Sequence, residues 1–181
     1  MENTNAPVYD RNTIEFVTVA LEFCTFIEKS GELSLYEFAD KSVKLLPLLY
    51  LKATLLPDAE TDNEPDPEQT VTEDMYEGIR TRLSNLLGEY DVYLETFHQD
   101  MQYSDTPIAA TISENLADVY QDTGNFVSTF RQGNEEAMLE AIALCRENFR
   151  TYWGGQLLNA LKALHNIRYS EEIRIDTNDK A

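Results

Sequence analysis

Glu95-Thr-Phe-His98 sets a carboxylate and an imidazole three residues apart, the spacing by which metal-binding helix bundles ligate through one helix. Asp91 falls one turn earlier, so on a helix Asp91, Glu95 and His98 share a face. A di-metal centre needs a second such motif. The only other histidine, His165, has Lys162 three residues back, and an ammonium group does not ligate. The face also lies opposite Tyr93, Leu94 and Phe97, so it reads as a solvated face and no metal is expected. A second acidic run, Glu114, Asp118 and Asp122, follows i, i+4, i+8 spacing. It turns away from Ile112, Leu116 and Val119, and reads as solvated surface with docking of a basic partner as its functional alternative.

Nucleophilic chemistry finds little support. Cys24 and Cys145 each fall on an apolar helical stripe, which predicts buried core thiols of raised pKa. No serine sits in a Gly-x-Ser-x-Gly elbow. Gly154-Gly155 lacks the strand and the Lys-Ser/Thr of a phosphate loop. The densest cluster of interest is Arg146, Arg150, Tyr152, Trp153, Gly154 and Gly155. Arg146 and Arg150 are one helical turn apart, and guanidinium forks favour carboxylate or phosphate. With Trp153 as a floor they form a candidate anion site. The plainer reading pairs the arginines with the chain's abundant acids and buries Trp153 in the core.

These residues belong to a chain of 181 with 33 Asp+Glu against 14 Lys+Arg, a formal net charge of −19. Such a balance argues against nucleic acid and anionic lipid as partners. Two cysteines do not make a disulfide scaffold. The start, MENTNAPVYD, has neither the basic nor the apolar region of a secretory leader. The longest apolar stretch, Leu45 to Leu56, holds Lys52 and is too short to span a bilayer. A cytoplasmic protein is expected.

Apolar residues recur at helical spacing almost throughout. A first helix is predicted from Thr13 to Lys29, capped by Asn12 and stopped at Ser30-Gly31. Ser34-Leu-Tyr-Glu37 is a capping box opening a second helix, with Pro47 inside it predicting a kink or break near Leu46. Its heavy apolar content suggests the most buried segment. Residues 57–70, PDAETDNEPDPEQT, hold six acids, three prolines and no base, and read as a mobile, disordered acidic loop. A third helix follows Thr70 and ends or bends at Gly88. Tyr90 to Met101 reads as helix in preference to strand. Ser104-Asp-Thr-Pro107 then starts a fourth helix ending near Gln132-Gly133. Asn134 caps a fifth, which spans about 50 Å if it runs on through Gly154-Gly155 to Ile167. Those glycines then mark a kink or a close approach. The expected fold is an all-α, irregular antiparallel bundle of about five helices over residues 12–169, with flexible ends at 1–11 and 170–181.

Three stretches together carry a resemblance: Leu45-Pro-Leu-Leu-Tyr-Leu-Lys-Ala through Pro57, Leu86-Leu-Gly-Glu-Tyr-Asp-Val-Tyr-Leu-Glu, and Tyr152-Trp-Gly-Gly-Gln-Leu-Leu-Asn-Ala-Leu. They resemble a bacterial family catalogued as domain of unknown function 5063, over roughly Asn12 to Tyr169. The resemblance implies a small, mostly helical bacterial protein without an established activity. It brings no catalytic residues and no cofactor. Ten tyrosines, whose amphipathic rings suit interfaces, and the acidic surface favour a non-enzymatic protein-interaction module. The alternative is a small-molecule or metal-binding bundle, in its sharpest form with an anionic ligand at Arg146, Arg150 and Trp153. Mimicry of nucleic acid by the acidic faces is a third reading.

Overall fold

A computed structural model describes residues 6–62, 64–95 and 106–173. Six α-helices make up the bundle: α1 (Arg11–Glu28), α2 (Leu35–Thr54), α3 (Glu73–Leu87), α4 (Ile112–Gln132), α5 (Glu135–Asn148) and α6 (Gly154–Tyr169). Two short strands, β1 (Val92–Glu95) and β2 (Ile108–Thr111), pair antiparallel, with Val92 opposite Thr111 and Glu95 opposite Ile108. The all-α expectation holds, with this hairpin as its addition.

Local signals set most helix ends. Ser34 Oγ accepts from Glu37 N while the Glu37 carboxylate accepts from Ser34 N, closing the capping box. Thr72 and Asn134 cap α3 and α5. Gly133 ends α4 at φ 72°, a conformation that costs glycine little. The start of α1 differs from the reading: Asp10, not Asn12, is the cap, its carboxylate accepting from Asn12 N. The packed region also reaches beyond residues 12–169. Val8 is buried at one end and Ile173 at the other, and Tyr9 Oη donates to Glu135.

Two expectations are corrected. Residues 92–95, read as helix, are strand. Tyr93 turns inward, while Val92 and Leu94 are exposed. Residues 108–111, read as the first turn of helix, are the partner strand, so α4 starts at Ile112 with Thr111 as its cap. The reason lies in Asp91. It is buried, and its carboxylate accepts from Ser113 N at 2.8 Å and from Ser113 Oγ at 2.7 Å, while its carbonyl accepts from Ile112 N. A carboxylate at the positive end of α4 satisfies donors that the helix itself leaves open. The hairpin carries Asp91 to that position. Phe97, His98, Met101, Ser104 and Asp105 fall outside the described residues.

α2 runs unbroken through Pro47. It is not the most buried segment, because Leu48, Leu51 and Leu55 lie exposed along its outer face. α4 is the buried helix. It packs against α1, α3, α5 and α6 and buries thirteen of its 21 residues. No helix among the described residues is long and apolar enough to cross a membrane.

The described residues between α2 and α3, 55–62 and 64–72, have no helix or strand, in line with the loop read from their composition. Its C-terminal end is fastened to α4. Asn125 Oδ1 accepts from Thr70 N and Val71 N, each at 2.8 Å, and Asn125 Nδ2 donates to Gln69 Oε1 at 2.6 Å.

α5 and α6 are joined without a loop by one π-helical turn, Phe149–Trp153. The turn widens the helix by one residue per bond and aims Trp153 inward. Trp153 is fully buried between Phe16 and Phe149, with Nε1 donating to Cys145 O at 3.2 Å. Gly154 N donates to Phe149 O, and a Cβ on Gly154 would lie 2.5 Å from that oxygen. A Cβ on Gly155 would meet nothing within 4 Å. The close-approach reading of this pair therefore applies to Gly154 alone. We expect Gly154→Ala to lower the melting temperature by straining the turn. Gly155→Ala should raise it, by up to about 1 kcal/mol of helix propensity. Thermal unfolding by circular dichroism checks both signs.

Candidate functional site

α4 carries a polar row at helical spacing: Asn115, Asp118, Asp122 and Asn125. Asn115, Asp118 and Asn125 are buried and Asp122 is half-buried. The expected solvated face of Glu114, Asp118 and Asp122 is thus corrected. Only Glu114 is exposed, because α3 and the α5–α6 rod cover the rest.

Asp118 is the centre of the row. Tyr76 Oη, from α3, donates to Asp118 Oδ1 at 2.8 Å, and Tyr152 Oη, from the π turn, donates to Asp118 Oδ2 at 2.7 Å. Burial first, then the bond to Asp118 and its charge, push both phenols above their ordinary pKa. Toward the N-terminus of α4, Tyr93 Oη donates to Asn115 Oδ1, and Asn115 Nδ2 donates to Gln156 Oε1, both at 2.5 Å. Burial and the Glu95 charge push Tyr93 up to about 12. On the other side Asn148 Nδ2 donates to Asp122 Oδ1 at 2.6 Å. No ion pair among the described residues involves Glu114, Asp118 or Asp122. The row therefore sets two carboxylates, Asp118 and Asp122, between two asparagines, all held by neutral donors and flanked by tyrosine rings, with Tyr152 half exposed.

Residues 7–170 match the family described as domain of unknown function (DUF5063). The chain belongs to this family. It is similar to a protein from Bacteroides fragilis of known crystal structure, with 44% identity, a TM-score of 0.81, and coverage of 91% of this chain and 96% of that one. No curated protein matches.

The other candidate residues of this DUF5063 chain are dispersed. Arg146 pairs with Asp58 of the acidic segment, and Arg150 with Glu147 at 3.3 Å. Trp153 is wholly enclosed by the core and presents no face to a ligand in this conformation. Glu95 is half-buried and accepts from Asn159 Nδ2 at 3.1 Å, Asp91 caps α4, and His165 lies tilted against the Tyr169 ring at the surface. Among the described residues no three His, Cys, Asp or Glu side chains converge to hold a metal. Both thiols are buried, as expected. Burial pushes Cys24 up to about 12 and Cys145 well above its ordinary value, which makes them poor nucleophiles.

The sequence reading missed the tyrosine donors, which come from three separate elements. A signal for the burial was present. Only four of the 21 residues of α4 are charged, few for a helix with one face in water.

Asp122 supplies a test of the site's electrostatics. Burial, assisted by the Asp118 charge and opposed by the Asn148 bond, raises its pKa from 3.8 to about 6. The folded chain therefore holds this proton more tightly than the unfolded chain does. The contribution to stability is full below about pH 4 and is lost as pH rises through about 6. We expect Asp122→Asn to stabilise the protein at pH 8 by up to roughly 2 kcal/mol, with the gain vanishing near pH 4. Denaturant unfolding of both proteins at the two pH values measures it.

Proposed function

We propose that the protein is a non-enzymatic interaction module of the bacterial cytoplasm, and that the tyrosine-rimmed acidic row of α4 docks a basic segment of a partner protein. The observation that carries this reading is the Asp118 carboxylate, held by two phenol hydroxyls with no cation on it, beside Asp122 and the exposed Glu114. A phenol is a neutral donor. It satisfies the carboxylate without cancelling its charge, so the negative potential persists at the rim. A Lys or Arg side chain arriving there gains an ion pair with Glu114 and the face of the exposed Tyr152 ring. The chain's net charge of −19 speeds the encounter with basic partners and repels nucleic acid.

The test compares two triple variants that remove the same charge. One is Glu114→Gln, Asp118→Asn and Asp122→Asn. The other is Glu60→Gln, Glu64→Gln and Asp66→Asn in the segment before α3. A fluorescent peptide of alternating Lys and Ala is titrated into each at low and at physiological salt. We expect the first triple to lose about tenfold in affinity and the second to change little, with binding weakening as salt rises. Equal losses would reduce the row to a share of bulk charge and remove the proposal.

A further inference from the structure

A cavity of about 210 Å³ opens on the side of α4 away from Asp118, walled by α1, α4 and the start of α3. Tyr120, Gly124, Val127 and Arg131 follow one another at helical spacing along its wall, nearly half a turn around the helix from Asp118 and Asp122. Its apolar lining is Leu21, Val71, Met75 and Val127, of which Val71 and Val127 are buried and Leu21 and Met75 exposed. Glu28 and Arg131 stand at its rim, together with the hydroxyls of Thr25 and Ser128. Gly124 lets Val71 close over the helix, since an added Cβ would lie 2.9 Å from Val71 Cγ2.

Two polar features of this rim are set up for a ligand. Arg131 is in no ion pair among the described residues, in a chain with 33 acids to offer one. Glu28 is held from beneath, accepting from Tyr120 Oη at 2.9 Å, and Tyr120 is itself buried. Both charges act on the same neighbour: Glu28 raises and Arg131 lowers the pKa of Cys24, which lines the cavity too. One small opening thus has an anion, a cation and an apolar lining.

That combination selects by charge. A simple monocarboxylate reaching Arg131 would meet Glu28 as a like charge, and a simple amine reaching Glu28 would meet Arg131. A zwitterion satisfies both. We propose that the cavity binds a free α-amino acid with an aliphatic side chain, its carboxylate on Arg131, its ammonium on Glu28 and its side chain among Leu21, Val71, Met75 and Val127. The site is separate from the acidic row, so either reading can fail without the other.

Calorimetric titration of the full chain with L-leucine, L-methionine, 4-methylpentanoate and isopentylamine tests it. We expect saturable binding of leucine or methionine, with the two singly charged analogues at least about tenfold weaker. Arg131→Gln and Glu28→Gln should each weaken amino-acid binding by about tenfold to a hundredfold, the loss of one charge-assisted contact. Both positions are exposed, and Glu28→Gln keeps a side-chain carbonyl to accept from Tyr120, so the variants should fold; their melting curves verify this. Glu136→Gln, at an exposed acid of α5 outside the cavity lining, should leave binding unchanged. No saturable binding of either amino acid, equal binding of the analogues, or indifference to both rim variants would each overturn the proposal.

Discussion

α4 has neighbours on every side, and the rest of the structure follows from what that enclosure demands of its polar side chains. A helix at the rim of a bundle turns its polar residues to water. α4 has α1, α3, α5 and α6 around it. Each polar side chain it carries inward must find a partner inside the protein or cost the desolvation of an unpaired group. The partners come from several elements around it: Tyr76 of α3, Tyr93 of β1, Asn148 of α5, Tyr152 of the π turn, Gln156 of α6 and the backbone of residues 70 and 71. The polar row therefore fixes how α4 is rotated against its neighbours. The apolar core, through Phe16, Phe126 and Trp153, sets only how close they come.

The π turn is part of the same solution. Tyr152 and Trp153 are adjacent, yet one reaches Asp118 and the other is sealed in the core. An α-helix separates adjacent side chains by about 100°, and a π turn reduces that angle and shifts the register of everything after it. The change lets α5 present Cys145 and Ile142 to the core, and α6 present Leu157, Ala160 and Leu164, on one continuous rod. Gly154 is needed where the widened turn brings the Phe149 carbonyl against the next residue's Cα. The glycine pair was visible in the sequence. Which of the two mattered was not, because the answer depends on a backbone bond that spacing does not reveal.

Local chemistry was the legible part of this protein. Ser34 with Glu37, Asn134 and Gly133 act where their side chains or their freedom at positive φ require, and each reports on a few neighbouring residues only. The local misses are shifts of two residues, Asp10 for Asn12 at the start of α1 and Thr72 for Thr70 at the start of α3, and the larger failures are non-local. Val92 to Glu95 has a helical wheel as well as a strand alternation, and only pairing with residues 108–111 decides between them. Asp91 looked like one member of an acidic face, when its partner, Ser113, lay in the first turn of a helix 22 residues on. Glu114, Asp118 and Asp122 looked solvated because a wheel drawn for one apolar face assumes that the opposite face sees water. In α4 that assumption fails, and the low count of charged residues was its only trace.

The manner in which the buried acids are satisfied is what the proposed role of the row depends on. A buried carboxylate is most strongly held by arginine, which neutralises it and removes its field from the surroundings. Here arginines are engaged elsewhere: Arg146 on Asp58, Arg168 on Asp40, Arg80 on Glu77. Asp118 receives tyrosines instead, and Asp122 an asparagine amide. Neutral donors leave the local charge standing, and burial of that charge raises the pKa of Asp122 despite the Asn148 bond. A fold selected for stability alone would gain by exchanging such acids for neutral groups of the same shape. Asp118 and Asp122 thus stand in the most enclosed helix without an ion pair among the described residues, and the proposed docking of a basic segment rests on that feature.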